Sequence, residues 1–254
     1  RGIDETLSAA GYGLIIANLD RSAAKEARYV NLAFARQVDG VLLLCGRVIR
    51  DGEKSLKDAH LPLVAICERI PGAHFPQVEI DNRRAASEAV GHLIARGHRR
   101  IGYLCGPQDN ILNLERMQGY RDALAAQGLP CNASWIFKGD FSFGAGVSSA
   151  ALWLAMPPEE RPTALFAAND EMAIGVLKAV QVAGLAVPAD LAIIGFDGIA
   201  YADFYQPALS TVAQPRAELG SAGAGLLVDA LQGRAVLPDT IVRLRHEIKI
   251  GQST

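Results

Sequence analysis

The residues from Ala164 to Asp197, ALFAANDEMAIGVLKAVQVAGLAVPADLAIIGFD, read as strand, loop, helix, loop, strand. An apolar run from Thr163 to Ala167 ends at Asn169 and Asp170, residue types that cap helices by accepting the first unpaired N–H groups. Met172, Ala173, Val176, Leu177 and Val180 then recur at three- and four-residue spacing on one stripe, and Gly184 with Pro188 supplies the stop. Leu191 to Gly195 is a second unbroken apolar run, the pattern of a parallel strand covered by helices on both faces. A βαβ unit of this kind commits the chain to an α/β fold. In open α/β sheets ligands bind beyond the carboxyl ends of the strands, which is where Asn169, Asp170 and Asp197 fall. A purely structural reading stands beside this one: Asn169 or Asp170 as helix cap, with Asp170 the better cap of the two, and Asp197 as a turn residue with Gly198.

The rest of the chain repeats the alternation. Ile3, Leu7 and Ala10 share a helical face that stops at Gly11, Leu14 to Ala17 is a strand candidate, and Ser22 to Gln37 a second helix. Strands are expected at Val41–Leu44, Leu63–Cys67 and Val78–Ile80, with Asp81 placed to cap a helix over Asn82–Arg96 that ends at Gly97. The pattern restarts at GHRRIGYLCG with a strand over Ile101–Cys105. A helix over Leu114–Gln127 follows, then an extended piece at Trp135–Phe137 and a helix of small residues reaching Leu154. After Asp197 the stretch IAYADFYQPALSTVAQP reads as irregular. A final helix, Glu218–Leu231, and an extended segment, Ile241–Ile250, complete two similar strand-and-helix halves, hence two doubly wound domains.

Composition narrows the function. Among 254 residues, 25 basic and 27 acidic side chains give a formal charge of −2, so these residues carry no electrostatic footprint for nucleic acid. No apolar run has the length to span a bilayer and no signal-like segment opens the chain, so no membrane partner is expected. Cys45, Cys67, Cys105 and Cys131 lie far apart, three of them in or at the end of apolar runs. They show no metal-ligand spacing and read as reduced thiols, which fits a cytoplasmic location. No metal or cofactor is expected, and no GxSxG elbow, HExxH helix or phosphate-binding GxxxxGK loop argues for an enzyme.

Five blocks in order, QVDGVLLL, IDNRRAASEAVGHLIARGHRRIGYLCGP, RMQGYRDAL, AANDEMAIGVLKAVQVAGLAVPADLAIIGFD and PALSTVAQPRAELG, resemble the effector-binding region of LacI/GalR transcriptional regulators. VDGVLLL with GDFSFGAG and IIGFD is most similar to the cytidine-repressor branch. The resemblance implies a type I periplasmic-binding-protein-like fold: two doubly wound parallel-sheet subdomains with three crossings, a nucleoside or sugar effector in the cleft, and a homodimer. It implies residues 1–97 plus 211–238 as the N-terminal subdomain, lacking its first strand, and 98–210 plus 239–254 as the C-terminal one. The DNA-binding headpiece would precede Arg1, so operator DNA is a partner only through that missing part. A transporter's periplasmic sugar- or nucleoside-binding protein is the alternative.

The same resemblance assigns site residues. Arg116 stands at the ligand arginine of an RxxGY motif, and a guanidinium fork suits sugar hydroxyls or a base carbonyl. Asp197 in IIGFD matches a carboxylate that accepts from ligand hydroxyls, Asn169 a residue reaching the cleft, and Phe141 an aromatic stacking on the effector ring. Gln214 and Asp81 lie at crossings near the cleft. His98 reads as structural.

Overall fold

The computed structural model describes residues 1–19 and 22–254. It divides into two compact units, Arg1–Ile80 with Pro215–Leu244 and Asp81–Gln214 with Arg245–Thr254, so the chain passes between them after Ile80, Gln214 and Leu244.

The first unit opens with α1 (Gly2–Ala9), α2 (Ala23–Phe34), β1 (Val41–Leu43), a small hairpin of β2 (Arg50–Asp51) and β3 (Lys54–Ser55), then β4 (Leu63–Ile66) and β5 (Gln77–Ile80). The second runs through α3 (Asn82–Ala95), β6 (Ile101–Leu104), α4 (Ile111–Ala126), β7 (Ile136–Phe137), α5 (Phe143–Ala155), β8 (Ala164–Ala167), α6 (Asp170–Val182), β9 (Ala192–Asp197) and β10 (Ser210–Ala213). The chain then returns to the first unit with α7 (Arg216–Leu231) and β11 (Ile241–Leu244), and gives β12 (Glu247–Lys249) to the second.

In the first unit the order β1-β4-β5-β11 is parallel throughout. Val30 and Ala33 of α2 pack with Leu43, Leu63 and Ala65 of the sheet, and Leu7 of α1 packs with Ala224 and Val228 of α7. In the second unit the order is β12-β10-β9-β8-β6-β7, parallel except for β12. The chain leaves β6 toward β7 and then crosses to β8 on the other side of β6. The switch of direction therefore lies between β6 and β8, where an open sheet leaves a crevice at its carboxyl ends.

The structure departs from the sequence expectations at several places. The first crossing falls after Ile80 rather than near Gly97, because α3 buries Ala85, Ala86, Ala89, Val90 and Leu93 in the second unit, chiefly against α4. Leu14–Ala17 forms no strand: it pairs with none among the described residues, and Ile15 and Ile16 are exposed. Apolar residues make a strand only where a neighbour takes their backbone groups. The irregular stretch after Asp197 contains β10, which is buried between β9 and β12. Ile241–Ile250 is two strands in two sheets, β11 beside β5 and β12 beside β10, so the first unit's second segment is Pro215–Leu244 rather than the expected 211–238, and β10 stays with the second unit. The helix expected from Leu114 starts three residues earlier, where Asn110 accepts from the Leu112 and Asn113 amides at 2.8 and 3.2 Å.

Candidate effector-binding site

Arg116 lies on the face of α4 that meets α3. The two helices approach closely at Gly119, where a Cβ would overlap the Arg83 carbonyl. The Arg116 side chain is 1% exposed, which for a guanidinium requires that its donors be met. Nε donates to Asn82 Oδ1 at 3.1 Å, Nη1 to the Ala168 carbonyl at the end of β8, and Nη2 to Asp197 Oδ1 at 3.4 Å. Cζ stands 3.6 Å from the centroid of Phe196. That ring ends an aromatic series, Tyr120, Tyr103, Phe166 and Phe196, with successive centroids 5.3, 5.3 and 6.4 Å apart.

Asp197 closes β9 and is only part-buried. β9 and β10 pair Asp197 with Ala213, which puts Gln214 beside the carboxylate, and Gln214 Nε2 donates to Asp197 Oδ1 at 2.7 Å. The Asp197 backbone has φ 112°, a region side-chain-bearing residues rarely adopt. Gly198 follows at φ 68°, where a Cβ would also stand 2.7 Å from Ala213 Cα, so the turn demands glycine.

Asn169 and Asp170 begin α6 and do different things. Asn169, not Asp170, caps the helix: its Oδ1 accepts from the Met172 amide at 3.0 Å, while Nδ2 donates to the Phe141 carbonyl at 2.8 Å. Phe141 has φ 72° and rests its ring on Gly106, just past β6, where a Cβ would occupy the ring's place. Gly106 is held in turn, its amide donating to Asn113 Oδ1 at 2.9 Å and the Tyr103 hydroxyl to the same atom at 3.0 Å. Asp170 is fully buried. Its Oδ2 accepts from the Ile199 amide at 2.9 Å and its Oδ1 from the Thr211 hydroxyl at 2.6 Å. Its carboxyl is pushed up to about 7: burial is the largest cause, hydrogen bonding from Thr211 and the Ile199 and Gly198 amides pulls it back, and the Asp197 carboxylate adds to the rise.

Arg116, Asp197 and Gln214 thus form one hydrogen-bonded set, and Asn169 with Phe141 another, all at the carboxyl ends of the parallel strands. Asp81 stands apart from both: its Oδ1 accepts from the Arg84 amide at 2.9 Å as the cap of α3. His98 bonds the Thr163 hydroxyl through Nδ1 at 3.0 Å, at the far end of the sheet, in keeping with a structural residue. Sequence reasoning missed Asn82, Asn113, Phe196 and Thr211. Asn113 was within reach of it, since it precedes Arg116 by three residues and shares its helical face. Among the described residues no group of three or more His, Cys, Asp or Glu side chains is placed to hold a metal ion, and no helix is long and apolar enough to cross a membrane.

Fixed donors and acceptors beside an aromatic ring are features that suit reversible binding of a polar small molecule. Residues 90–254 match the periplasmic binding protein-like domain family. The HTH-type transcriptional repressor CytR of Escherichia coli (strain K12) is 39% identical over 236 residues, which are 93% of this chain and 69% of that protein. The chain belongs to the LacI/GalR family. Catabolite control protein A of Priestia megaterium is 34% identical to this LacI/GalR chain over 255 residues, covering all of it and 76% of the relative. A solved complex of the transcriptional regulator CelR with cellobiose superposes with a TM-score of 0.90 at 32% identity, covering all of this chain and 77% of that one. The fold is periplasmic-binding-protein-like, and the chain is the effector-binding region of a LacI-family transcriptional repressor.

Proposed function

We propose that this region binds a nucleoside or a sugar at the carboxyl ends of β6, β8, β9 and β10, and that occupancy sets the affinity of a dimeric cytoplasmic repressor for operator DNA. The observation that carries the reading is the Arg116, Asp197 and Gln214 set at the end of β9 and β10. A carboxylate accepts several hydrogen bonds and so suits a vicinal diol, whether on a ribose or a hexose. The Phe141 ring, fixed over Gly106, offers a stacking face for a base or the apolar face of a pyranose. Asn169 lies beside it, and Asp81 is retained only as a residue near the chain crossing. The likeness of VDGVLLL, GDFSFGAG and IIGFD to the cytidine-repressor branch favours the nucleoside. The cellobiose bound by CelR keeps a sugar in the test.

The effector acts through its different affinities for two states of the protein, and operator DNA must shift effector affinity by the same factor. Contact with the operator belongs to a helix-turn-helix segment of the kind named in the relatives. The region itself binds and does not catalyse. The transporter reading is disfavoured, since the relatives that span this chain are transcriptional regulators.

Calorimetric titration of the protein with cytidine, adenosine, ribose and cellobiose tests the reading, with sedimentation equilibrium to test the dimer. The expected result is saturable binding of one of these ligands by wild type and a loss of at least tenfold in Asp197→Asn. Equal affinity in wild type and Asp197→Asn overturns the site.

A further inference from the structure

Asp170 is a buried acid that the effector site as described does not use. It follows the true cap of α6 and reaches away from the helix to the turn after β9. The Thr211 hydroxyl that donates to Asp170 also accepts from the Gly198 amide at 3.3 Å. Asp170 and Thr211 therefore take both amides that follow Asp197 in the chain. Backbone strain such as φ 112° at Asp197 persists only where the surroundings over-determine it, and these bonds hold the turn from the far side while the Gln214 amide donates to the Asp197 carbonyl at 3.3 Å. The neighbouring strand leaves room for the arrangement: a Cβ at Gly195 would overlap Asp170 Oδ1.

We propose that Asp170 is a positioning residue of the effector site, which with Thr211 clamps Gly198 and Ile199 and so sets where the Asp197 carboxylate lies relative to Arg116 and Gln214. The effector part of this rests on the reading of Asp197 as a ligand contact. Asp170 is fully buried and acts only through the turn.

The clamp's chemistry predicts which substitutions break it. Asparagine keeps an acceptor for the Ile199 amide, and its Nδ2 donates to Thr211 Oγ1 once that hydroxyl turns to the Val212 carbonyl, 3.4 Å away. Alanine keeps neither bond. Thr211→Val preserves shape but removes the hydroxyl that bridges Asp170 and the Gly198 amide, and so remains informative if Asp170→Ala does not fold.

The test is NMR of the ligand-free protein followed by calorimetry with cytidine. In Asp170→Ala and Thr211→Val the Gly198 and Ile199 amides are expected to exchange at least tenfold faster and the Gln214 side-chain amide resonances to move. The Val176 and Leu177 amides of α6 keep wild-type exchange, and Asp170→Asn stays close to wild type. Uniform acceleration along α6, or unmoved Gln214 resonances in both variants, overturns the clamp. With cytidine, Asp170→Ala weakens binding, and Asp170→Ala/Asp197→Ala binds no more weakly than Asp197→Ala alone. Additive losses overturn the positioning role. If wild type does not bind cytidine, the nucleoside reading falls, and the exchange and resonance data decide the clamp by themselves.

Discussion

The Arg116 guanidinium lies 3.6 Å above the Phe196 ring, and Nη2 of the same group reaches the carboxylate of the next residue, Asp197. One buried cation thus joins the aromatic core of the second unit to the acid at the carboxyl end of β9. Cation and ring attract through the ring quadrupole, more strongly where water is excluded.

Arg116 therefore carries stability as well as any contact with effector. Lysine keeps the charge but loses the planar fork, the stack on Phe196 and the Nε bond to Asn82. Arg116→Lys is expected to cost about 2–3 kcal/mol, seen as a lower denaturant midpoint with an unchanged m value. A midpoint equal to wild type would show the buried contacts to be dispensable.

Asp197→Asn separates binding from folding more cleanly. Asparagine tolerates positive φ and keeps an acceptor for Gln214. Melting within a few degrees of wild type, with effector affinity down at least tenfold, is the expected pair of results. A large drop in melting temperature would mean that the charge paired with Arg116 matters chiefly to the fold.

The Asp170 carboxyl makes stability depend on pH in a defined window. Its folded value of about 7 lies above the ordinary 3.8, so between those values the native state holds a proton that the unfolded chain has lost. Stability from this group is complete below about pH 4, declines as pH rises, and is gone above about 7, a change on the order of 4 kcal/mol. Asp170→Asn lacks this slope and should melt higher than wild type at pH 8 but not at pH 4. A variant whose melting temperature follows the wild-type pH profile would assign the slope to other groups.

Gly106→Ala places a methyl where the Phe141 ring sits, so the ring must move. Overpacking of this kind costs about 1–3 kcal/mol. If Phe141 stacks on a base, affinity for cytidine should fall more than affinity for ribose, which calorimetry with both ligands measures. Equal losses would remove the stacking role.

Much of the second unit was legible because its helices and strands carry unbroken apolar periodicity. The βαβ unit of β8, α6 and β9 lies within one or two residues of its expected bounds. β10 was hidden because Ser210 and Thr211 break the apolar run. Both are buried and pair through their hydroxyls with Thr254 and Asp170, contacts no local pattern announces. Motif positions named Arg116 and Asp197, and a chain crossing named Gln214, but neither their hydrogen bonding to one another nor the division of labour between Asn169 and Asp170 was readable. Both residue types cap helices, and it is the turn at Ile199, 29 residues on, together with Thr211 that draws Asp170 away. Leu14–Ala17 has strand composition and no strand, since pairing is decided by a neighbour and not by the segment itself.

Neither sheet is made from one continuous stretch of chain. The first needs β11 beside β5, and the second needs β12 beside β10, with the Ser253 hydroxyl bonding the Ser210 amide at 2.8 Å and the Ile193 carbonyl at 2.6 Å. During synthesis, Gln77 to Ile80 must wait for Ile241 to Leu244 before that edge of their sheet is covered. Until those later strands are made, the nascent chain therefore carries open strand edges, which are sites of mispairing with other chains. That exposure should end only once β11 and β12 have both been made, and since they follow one another closely in the chain both units are completed almost together.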